Sequence, residues 1–365
     1  MIKREDTDLD VDAMLQDLRT LVEVESPSRD LAALRRSAEA VAALVEHRLG
    51  GRATLVDGPA GTHVRWSGGG TPRVLVLGHH DTVFPLGTLE HRPFRVEGGH
   101  ATGPGVYDML GGLVQAIHGL ATLEDPFGVE LLVTADEEVG SHYSRALIEE
   151  RARACDAVLV FEGATADGHL KVARKGCGTF EVAVRGVASH AGLEPEAGVN
   201  ALVEAAHQVL AIAALDRPEV GTTVTPTVAA AGTTDNVVPA EATIVVDVRV
   251  PSAAEKDRVE TAFANLSPVL AGAELTVTGS VNRPPMPPEG AAELLAKARW
   301  SLPGIEGVAV GGGSDGNFTA ASGVPTLDGL GAVGGGAHAD HEYLVVDSMV
   351  ERARLAADLV RAIRT

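Results

Sequence analysis

Three short runs of apolar residues in the first half of the chain constrain the fold more than any other feature. They lie within residues 73–79, 129–135 and 157–161 and consist mainly of Val, Leu and Ala. Runs that stay apolar, instead of alternating with polar residues, are typical of strands covered on both faces. Apolar residues at helical spacing separate the runs, at 111–123 and 144–154. This alternation predicts an α/β fold with a mostly parallel sheet flanked by helices.

The pattern changes near residue 175. Residues 178–185 and 242–249 alternate in part between apolar and polar side chains, which is typical of antiparallel strands with one solvated face. Helical patterns lie at 200–215 and 253–266. Together these elements predict an inserted α+β domain over residues 175–282.

The α/β pattern resumes after this insertion. A short apolar segment lies at 324–328, and a helical pattern at 347–363 ends the chain. The proline-rich stretch 282–289 is interpreted as the returning linker. We therefore predict one catalytic, metal-binding domain formed by residues 1–174 and 283–365, a division that the length of 365 residues also favours.

Charge and composition exclude several classes of function. The chain carries 50 acidic and 30 basic residues, a formal charge of −20, which opposes binding to nucleic acid and to anionic membranes. Cys155 and Cys177 are too few for a disulfide scaffold or a thiolate metal cage and fit a reduced compartment. Residues 1–8 are mostly polar and precede no apolar signal segment, and no run approaches the ~18 apolar residues of a membrane span. We expect a cytoplasmic protein that binds neither nucleic acid nor membranes.

Polar side chains follow the apolar runs where each predicted strand ends. The first run leads into His-His-Asp at 79–81, the second into Asp-Glu-Glu at 136–138 and the third into Glu162. Ligands of open α/β sheets bind beyond the carboxyl ends of the strands, so these groups are expected to converge. Two glycine-rich segments add Asp108 and His338.

A single histidine or carboxylate at a strand end is usually a cap or a solvated side chain. Five converging positions favour another interpretation. Carboxylates mixed with imidazoles, without thiolate, are donors typical of catalytic zinc, manganese or cobalt. So many carboxylates in one pocket would repel one another unless cations neutralised them. The residues therefore predict a centre with two divalent ions.

Taken in order, these motifs resemble the dinuclear zinc peptidases that include glutamate carboxypeptidases, aminoacylases, peptidase T and succinyl-diaminopimelate desuccinylase. The motifs are Gly-His-His-Asp-Thr-Val (78–83), Gly-Pro-Gly-Val-Tyr-Asp (103–108), Asp-Glu-Glu-Val-Gly-Ser (136–141), Phe-Glu-Gly (161–163), Ala-Ser-His-Ala-Gly (188–192), Asn-Val-Val-Pro (236–239), Asp-Val-Arg (247–249), Gly-Gly-Gly-Ser-Asp-Gly (311–316) and His-Ala-Asp-His-Glu-Tyr (338–343). The glutamate carboxypeptidase branch looks closest. The resemblance implies a zinc-peptidase catalytic domain, an inserted ferredoxin-like lid and dimerisation domain, and a homodimer.

The resemblance also implies a ligand set. Asp108 would bridge two Zn²⁺ ions in each subunit, with Co²⁺ or Mn²⁺ as substitutes. His79 and Glu162 would complete one site, and Glu138 and His338 the other. A bridging carboxylate suits ions ~3.5 to 4 Å apart, the spacing at which both can stabilise one attacking oxygen.

Residues beside the ligands are expected to support them. Asp81, two residues beyond His79 on an extended segment, points to the same side and is expected to accept the second imidazole N–H. His80 projects to the opposite face, where a structural role is favoured. His341 competes with His338 as a ligand, but the His-x-x-x-Glu spacing of the family favours His338.

Glu137 and Glu138 are adjacent, and neighbouring carboxylates usually diverge, so one can bind metal while the other transfers protons. The family pattern makes Glu137 the general base and acid. It would take a proton from the water shared by the ions and pass it to the leaving amine. Without the family resemblance, the alternative interpretation is that Glu137 and Glu138 belong to an exposed acidic turn.

The inserted domain contributes further candidates. In the family pattern His190 and Asn236 reach an active site across the dimer interface, where His190 would donate to the tetrahedral oxyanion. Arg249 offers a planar fork for a free α-carboxylate, although a solvated strand-edge residue is the alternative. Backbone N–H groups of a glycine-rich loop would assist at that carboxylate, and they belong to Gly312, Gly313 and Ser314.

These expectations predict a zinc-dependent metallopeptidase that hydrolyses an amide bond next to a free carboxylate and releases a C-terminal amino acid such as glutamate. An aminoacylase or deacylase acting on N-acyl amino acids would use the same residues and is the close alternative. A binding or regulatory protein that has lost catalysis is disfavoured by the complete ligand set and by Glu137. A dinucleotide site at Gly103-Pro-Gly105 is disfavoured because no apolar strand precedes it.

Overall fold

Residues 9–365 are described by a computed structural model, and the expectation about the polar segment 1–8 lies outside the described residues. The chain divides into two units. The large unit comprises the chain up to Ala173, Pro287–Val310 and Ser314–Thr365. The inserted unit comprises Arg174–Met286 and Gly311–Gly313. It begins at residue 174, where 175 was expected, and its continuous part ends at 286, where 282 was expected.

The chain forms its helices and strands in the following order. Before the insertion they are α1 (Val11–Val22), α2 (Leu31–Leu49), β1 (Thr54–Gly58), β2 (Gly61–Ser67), β3 (Val74–His79), α3 (Thr88–His91), β4 (Arg95–Glu97), β5 (His100–Thr102), α4 (Gly111–Ala121), β6 (Val129–Thr134), α5 (Arg145–Arg153), β7 (Ala157–Val160) and β8 (Leu170–Arg174). The insertion contains β9 (Gly176–Arg185), α6 (Ala201–Ala213), β10 (Thr223–Ala231), β11 (Glu241–Val250), α7 (Ala253–Ala264) and β12 (Glu274–Arg283). The last part contains α8 (Ala292–Ser301), β13 (Gly307–Val310), α9 (Gly316–Ala321), β14 (Thr326–Leu327), β15 (Gly334–Gly335), β16 (Tyr343–Val345) and α10 (Met349–Arg364).

The large unit is built around a six-stranded sheet in the order β1-β2-β6-β3-β7-β14. Strands β6, β3, β7 and β14 run parallel, while β2 and β1 extend the sheet antiparallel at one edge. Every residue of β3, β6 and β7 is buried, which explains why their sequences are almost entirely apolar. The prediction of a mostly parallel sheet flanked by helices is confirmed.

Alternate residues of the central strands face two different helical layers. Val74 and Val76 of β3 belong to the core that includes residues of α1, α2, α4 and α10. Leu75 and Leu77 pack instead with residues of α5 and α9. Burying one such side chain contributes about 1.5–3 kcal/mol. Aliphatic side chains provide most of the buried apolar surface in both layers, because aromatic residues make up only 3% of the chain.

The inserted unit contains a four-stranded antiparallel sheet in the order β10-β11-β9-β12. Its chain order of strand, helix, strand, strand, helix, strand is ferredoxin-like, as predicted. Residues of β11 alternate between buried and more accessible positions, because α6 and α7 pack against one face of the sheet. Asn282 and Arg283, expected in a linker, end β12 instead.

The two ends of the continuous insertion lie side by side. The N–H of Arg174 donates to the carbonyl oxygen of Met286 at 3.1 Å, and the N–H of Met286 donates to that of Arg174 at 3.0 Å. The chain therefore enters and leaves the inserted unit through neighbouring segments. Within residues 9–365, no helix combines the length and apolar character needed to cross a membrane.

Candidate metal centre

His79 ends β3 at the carboxyl edge of the parallel strands. Its ring is buried, and its Nε2 has no hydrogen-bond partner. This atom lies 3.4 Å from Oδ1 of Asp108 and 3.6 Å from Oε1 of Glu162. The other ring nitrogen lies 2.9 Å from the backbone oxygen of Asp81, which favours a proton on Nδ1 in the neutral ring. The ring is therefore arranged to hold a cation between its Nε2 and the two carboxylates.

Asp108 faces a second histidine with its other carboxylate oxygen. The Nε2 atom of His338 lies 3.4 Å from Oδ2 of Asp108 and 3.0 Å from Oε2 of Glu138. Asp108 thus presents one oxygen to each histidine, and one further carboxylate lies beside each pair. These are the two groupings that the sequence analysis assigned to two ions, and ligation itself stays a prediction.

Three of the four separations suit ligands of a divalent cation, whereas the fourth, 3.0 Å between Glu138 and His338, is a hydrogen-bond distance. In a tetrahedral site with bonds of about 2.0–2.2 Å, two ligand atoms lie about 3.3–3.6 Å apart. The separations of 3.4 and 3.6 Å around His79, and of 3.4 Å between His338 and Asp108, fall in this range and exceed an ordinary hydrogen bond. The unpartnered Nε2 of His79 and the absence of thiolate from the set also fit zinc, manganese or cobalt.

The histidines and carboxylates of this cluster shift one another's pKa values. Hydrogen bonds to Asp108 and Glu138 raise the pKa of His338 to about 10. Burial alone would lower the pKa of His79, but the surrounding carboxylates raise it well above its ordinary value. Burial opposes ionisation of Asp108, yet the two histidines hold the pKa of its carboxyl far below its usual range.

We expect zinc binding to the metal-free protein to release protons at neutral pH. His338 holds a proton below its pKa of about 10, and a metal ion binds only the deprotonated ring. Apparent zinc affinity should therefore fall as the pH falls. Calorimetric titration in buffers of different ionisation enthalpy counts the protons released, and His338→Gln should reduce that number by about one. A wild-type affinity independent of pH would contradict this prediction.

Glu137 and Glu138 lie in a single helical turn that follows β6. The Asp81 carboxylate accepts their backbone N–H groups, both at 3.2 Å, and the Ser28 hydroxyl at 2.8 Å. Asp81 was expected to accept the N–H of His79 through its carboxylate. Nδ1 lies 2.9 Å from the carbonyl oxygen of Asp81 and 3.5 Å from its carboxylate, so Asp81 contacts the ring mainly through its backbone, and its orienting role stays a prediction. The carboxylate holds the two glutamates, and the carbonyl contacts the histidine.

The two glutamate side chains take different positions. Glu138 faces His338, as described above. The Glu137 carboxylate is buried, and one of its oxygens lies within 4.8 Å of a ring nitrogen of His79 and of a carboxylate oxygen of Glu162. Glu137 thus lies at the centre, where His79, Glu137 and Glu162 form one set of donors close enough to hold an ion, and His79, Asp108 and Glu138 form another. This position suits proton transfer, and the catalytic role of Glu137 stays a prediction.

His80 and His341, the other histidines of the motifs at 78–83 and 338–343, lie apart from the carboxylates of the centre. His80 is buried, and its ring nitrogens lie 3.0 Å from the Ser37 hydroxyl and 2.9 Å from the carbonyl oxygen of Thr62. Burial lowers the pKa of His80 to about 4, so a neutral, structural ring is favoured, as expected. His341 is exposed, and it is the ring of His338 that faces the centre.

His190 and Asn236 lie side by side in the inserted unit. The N–H of Ala191 donates to the carbonyl oxygen of Asn236 at 2.9 Å, and His190 pairs with Val237. The exposed His190 ring accepts the N–H of Gly192 on Nδ1 at 3.1 Å, so the neutral ring carries its proton on Nε2. That N–H can act as the donor which the predicted oxyanion role requires.

The guanidinium fork of Arg249 is already occupied. Its Nε and Nη2 donate to the two carboxylate oxygens of Asp247 at 3.0 and 2.9 Å. Residues two apart on a strand share one face, which explains the pairing. The fork thus has a partner within the chain, and its role at a substrate carboxylate stays a prediction. A substrate would displace Asp247 or use the remaining N–H groups of Arg249.

A second arginine shares this face of the sheet and was missed in the sequence. Arg249 and Arg283 are both cross-strand partners of Cys177, one on each side of β9. Arg283 is buried, although it was expected in the linker 282–289. Its signal in the sequence was a basic residue directly before the first proline of that stretch.

The glycine-rich loop engages its polar groups internally. The carbonyl oxygens of Gly312 and Gly313 accept from Nη1 of Arg174 at 3.2 and 3.3 Å. Ser314 is buried, and its N–H donates to Oδ1 of Asn317 at 2.9 Å. Its hydroxyl donates to the buried carboxylate of Asp328. The Ser314 amide is therefore not available to a substrate in this conformation, which corrects the expectation for that residue.

Comparison with known proteins supports the motif analysis. Residues 75–362 match the sequence profile described as "Peptidase family M20/M25/M40". Carboxypeptidase G2 of Pseudomonas sp. (strain RS-16) is 38% identical over 312 residues, which span 80% of this chain and 74% of that relative. The aminopeptidase PepT from Bacillus cereus ATCC 10987 superimposes with a TM-score of 0.76 at 22% identity, covering 98% of this chain and 99% of that one. The M20 family metallo-carboxypeptidase Sso-CP2 from Sulfolobus solfataricus superimposes with a TM-score of 0.74 at 16% identity and the same coverage of 98% and 99%.

Proposed function

The chain belongs to peptidase family M20/M25/M40, and from that premise we propose that it is a dinuclear zinc carboxypeptidase that releases a C-terminal amino acid such as glutamate. Membership of the family makes the chain a metal-dependent hydrolase. The finer proposal depends on one observation, the Asp108 carboxylate whose two oxygens face two different histidines. The name of the relative at 38% identity supports a carboxypeptidase.

In this proposal the residues around Asp108 hold two ions. His79 and Glu162 would bind one, His338 and Glu138 the other, with Asp108 shared. Bound there, the ions would polarise the scissile carbonyl and lower the pKa of water toward neutrality. Zn²⁺ is the ion proposed, and Co²⁺ or Mn²⁺ would suit the same donors.

Glu137 would move the proton. It would accept a proton from the attacking water and deliver it to the leaving nitrogen as the C–N bond breaks. Its carboxylate lies close to His79 and Glu162, and Asp81 holds the backbone of its turn. The base would therefore be in position before a substrate arrives.

The inserted unit would recognise the rest of the substrate. The Nε2–H of His190 would donate to the developing oxyanion, with Asn236 beside it. Arg249 and Arg283, which share one face of the sheet, would attract the free carboxylate, and two cations suit a dicarboxylate such as C-terminal glutamate. The N–H groups of Gly312 and Gly313 would assist there.

Turnover is expected to require the free carboxylate. Changing the C-terminal carboxylate of a dipeptide substrate to a carboxamide should lower kcat/KM by about 10²-fold, because hydrogen bonds to a charged group contribute about 1.5–3 kcal/mol. A panel of folyl-glutamate, dipeptides and N-acetyl amino acids, each with its capped counterpart, measures this requirement. Equal turnover of capped and free substrates would contradict the proposed specificity. Preference for N-acetyl amino acids would identify an aminoacylase instead.

We also propose a homodimer formed through the inserted unit. Leu202 and Leu210 on α6 are 52% and 71% exposed, and Val228 on the edge strand β10 is 57% exposed. An apolar helix face together with an edge strand forms a surface that a protein contact usually covers. Sedimentation velocity should show a dimer that Leu210→Glu dissociates. Trp300→Glu, a change at a 64% exposed residue of the large unit, should leave the dimer intact. A monomeric wild type would contradict the proposal.

A cytoplasmic location completes the proposal. Cys155 and Cys177 are not joined in a disulfide, as in proteins of a reduced compartment. The net charge of −20 does not favour nucleic-acid or membrane partners. Cell fractionation tests this location.

A further inference from the structure

Glu342 is completely buried, and its carboxylate accepts three backbone hydrogen bonds from the segment that carries Asp108. Its Oε2 accepts the N–H of Gly105 at 2.9 Å. Its Oε1 accepts the N–H groups of Tyr107 and Asp108 at 2.9 and 3.0 Å. All three donors come from four consecutive residues and converge on one side chain.

The backbone of this segment explains why the donors need an acceptor. Gly105 has a positive φ of 76°, and Asp108 has φ −119° and ψ 93°, so residues 105–108 form an irregular turn ahead of α4. Backbone N–H groups that converge in this way create a binding site for an anion. A buried N–H without an acceptor is costly, and Glu342 supplies the anion from within the chain.

The same residue is tied closely to His338, four positions earlier. The N–H of Ala339 donates to the carbonyl oxygen of Gly336 at 2.9 Å, and the N–H of Glu342 donates to that of Ala339 at 3.1 Å. These two tight turns connect Glu342 to the histidine through a short, folded loop. Glu342 therefore joins the loop of His338 to the segment of Asp108.

We propose that Glu342 is a positioning residue for the metal site of Asp108, Glu138 and His338. Its hydrogen bonds hold the backbone of Asp108 next to the loop of His338. The Asp108 and His338 side chains are therefore at binding distance before an ion arrives. The inference rests on the proposed dinuclear function. Glu342 contacts neither substrate nor metal in this role and acts through the two residues that it places.

Glu342→Gln tests this role, and the chain offers a matched control. The amide keeps the shape of the side chain but replaces one acceptor oxygen by an NH₂ group, which cannot accept a backbone N–H. Glu204, in the inserted unit, is also completely buried and accepts the N–H groups of Val269 and Leu270 at distances of 2.7 to 3.1 Å. Glu204→Gln therefore makes the same chemical change away from the metal centre.

The experiment titrates metal-free, full-length protein with zinc by calorimetry and with cobalt by absorption spectroscopy. Wild type and E204Q should bind two ions with equal affinities, whereas E342Q should bind one of the two about 10–100-fold more weakly, with a changed cobalt spectrum. In the zinc-loaded enzyme kcat should fall while KM stays nearly constant. Glu342→Asp, which keeps the charge on a shorter side chain, should restore part of the affinity.

Thermal unfolding separates positioning from general stability, because both Gln variants should unfold at lower temperature than wild type. E342Q that binds two ions with wild-type affinity and spectrum would overturn the inference, and so would an E204Q variant that loses an ion to the same degree. If E342Q fails to fold, Glu342→Asp decides by the same titration, with unchanged affinity as the contradicting result. A wild type that binds no pair of ions would overturn the proposed function instead.

Discussion

Replacing Glu137 with Gln is expected to lower kcat by about 10³-fold while both metal ions stay bound, because the amide cannot accept the proton of the attacking water. The Glu137 carboxylate lies within 4.8 Å of donor atoms of His79 and Glu162, but the proposed ligands of the two ions do not include it. Its loss should therefore affect proton transfer more than metal affinity. Steady-state kinetics on a dipeptide, together with elemental analysis of the purified protein, measures both quantities.

The neighbouring residue provides the control for this prediction. Glu138→Gln makes the same change one position later, where the carboxylate lies 3.0 Å from Nε2 of His338. It should lose a metal ion as well as activity. Near wild-type turnover of E137Q would exclude Glu137 as the base. Loss of an ion from E137Q would make Glu137 a ligand.

Replacing Asp108 with Asn should have the largest effect on the metal centre. The two Asp108 oxygens lie 3.4 Å from Nε2 of His79 and of His338. An amide has one oxygen and no charge, so it cannot present a ligand oxygen toward both histidines. We expect at least one ion to bind more than about 10²-fold more weakly, beyond the loss caused by a residue that only supports ligands. Activity should fall by about 10³-fold or more, since both ions contribute to the reaction.

Zinc calorimetry and elemental analysis check this expectation. Asp340→Asn is a suitable control, because the Asp340 side chain is 96% exposed and lies two residues from His338. That variant should bind two ions and retain activity. An Asp108→Asn protein that keeps both ions with wild-type affinity would remove Asp108 from the centre.

The sequence was sufficient to predict the central sheet and the residues that meet at its edge. Strands buried on both faces must be apolar, so β3, β6 and β7 were recognisable. The rule that ligands bind at the carboxyl ends of parallel strands then predicted that the residues following them converge. Donor atoms of His79, which ends β3, and of Glu162, which follows β7, lie 3.6 Å apart.

Other features were hidden because the groups involved carry little sequence information. Asp81 and Glu342 bond to backbone N–H groups, which every residue except proline possesses, so no motif identifies their partners. Strands β15 and β16, of two and three residues, are too short to show a period. The pairing of Asp247 with Arg249 could have been anticipated, since their spacing of two places both on one face of a strand.

The paired hydrogen bonds between Arg174 and Met286 have a consequence for how such proteins diversify. Because both ends of the continuous insertion meet at one point, a segment of different length or origin can be grafted there without changing the spacing of its anchor points. Recombination at this junction would exchange the inserted unit and leave the residues around Asp108 unchanged. A new specificity can thus arise when the inserted unit is replaced and the large unit stays the same.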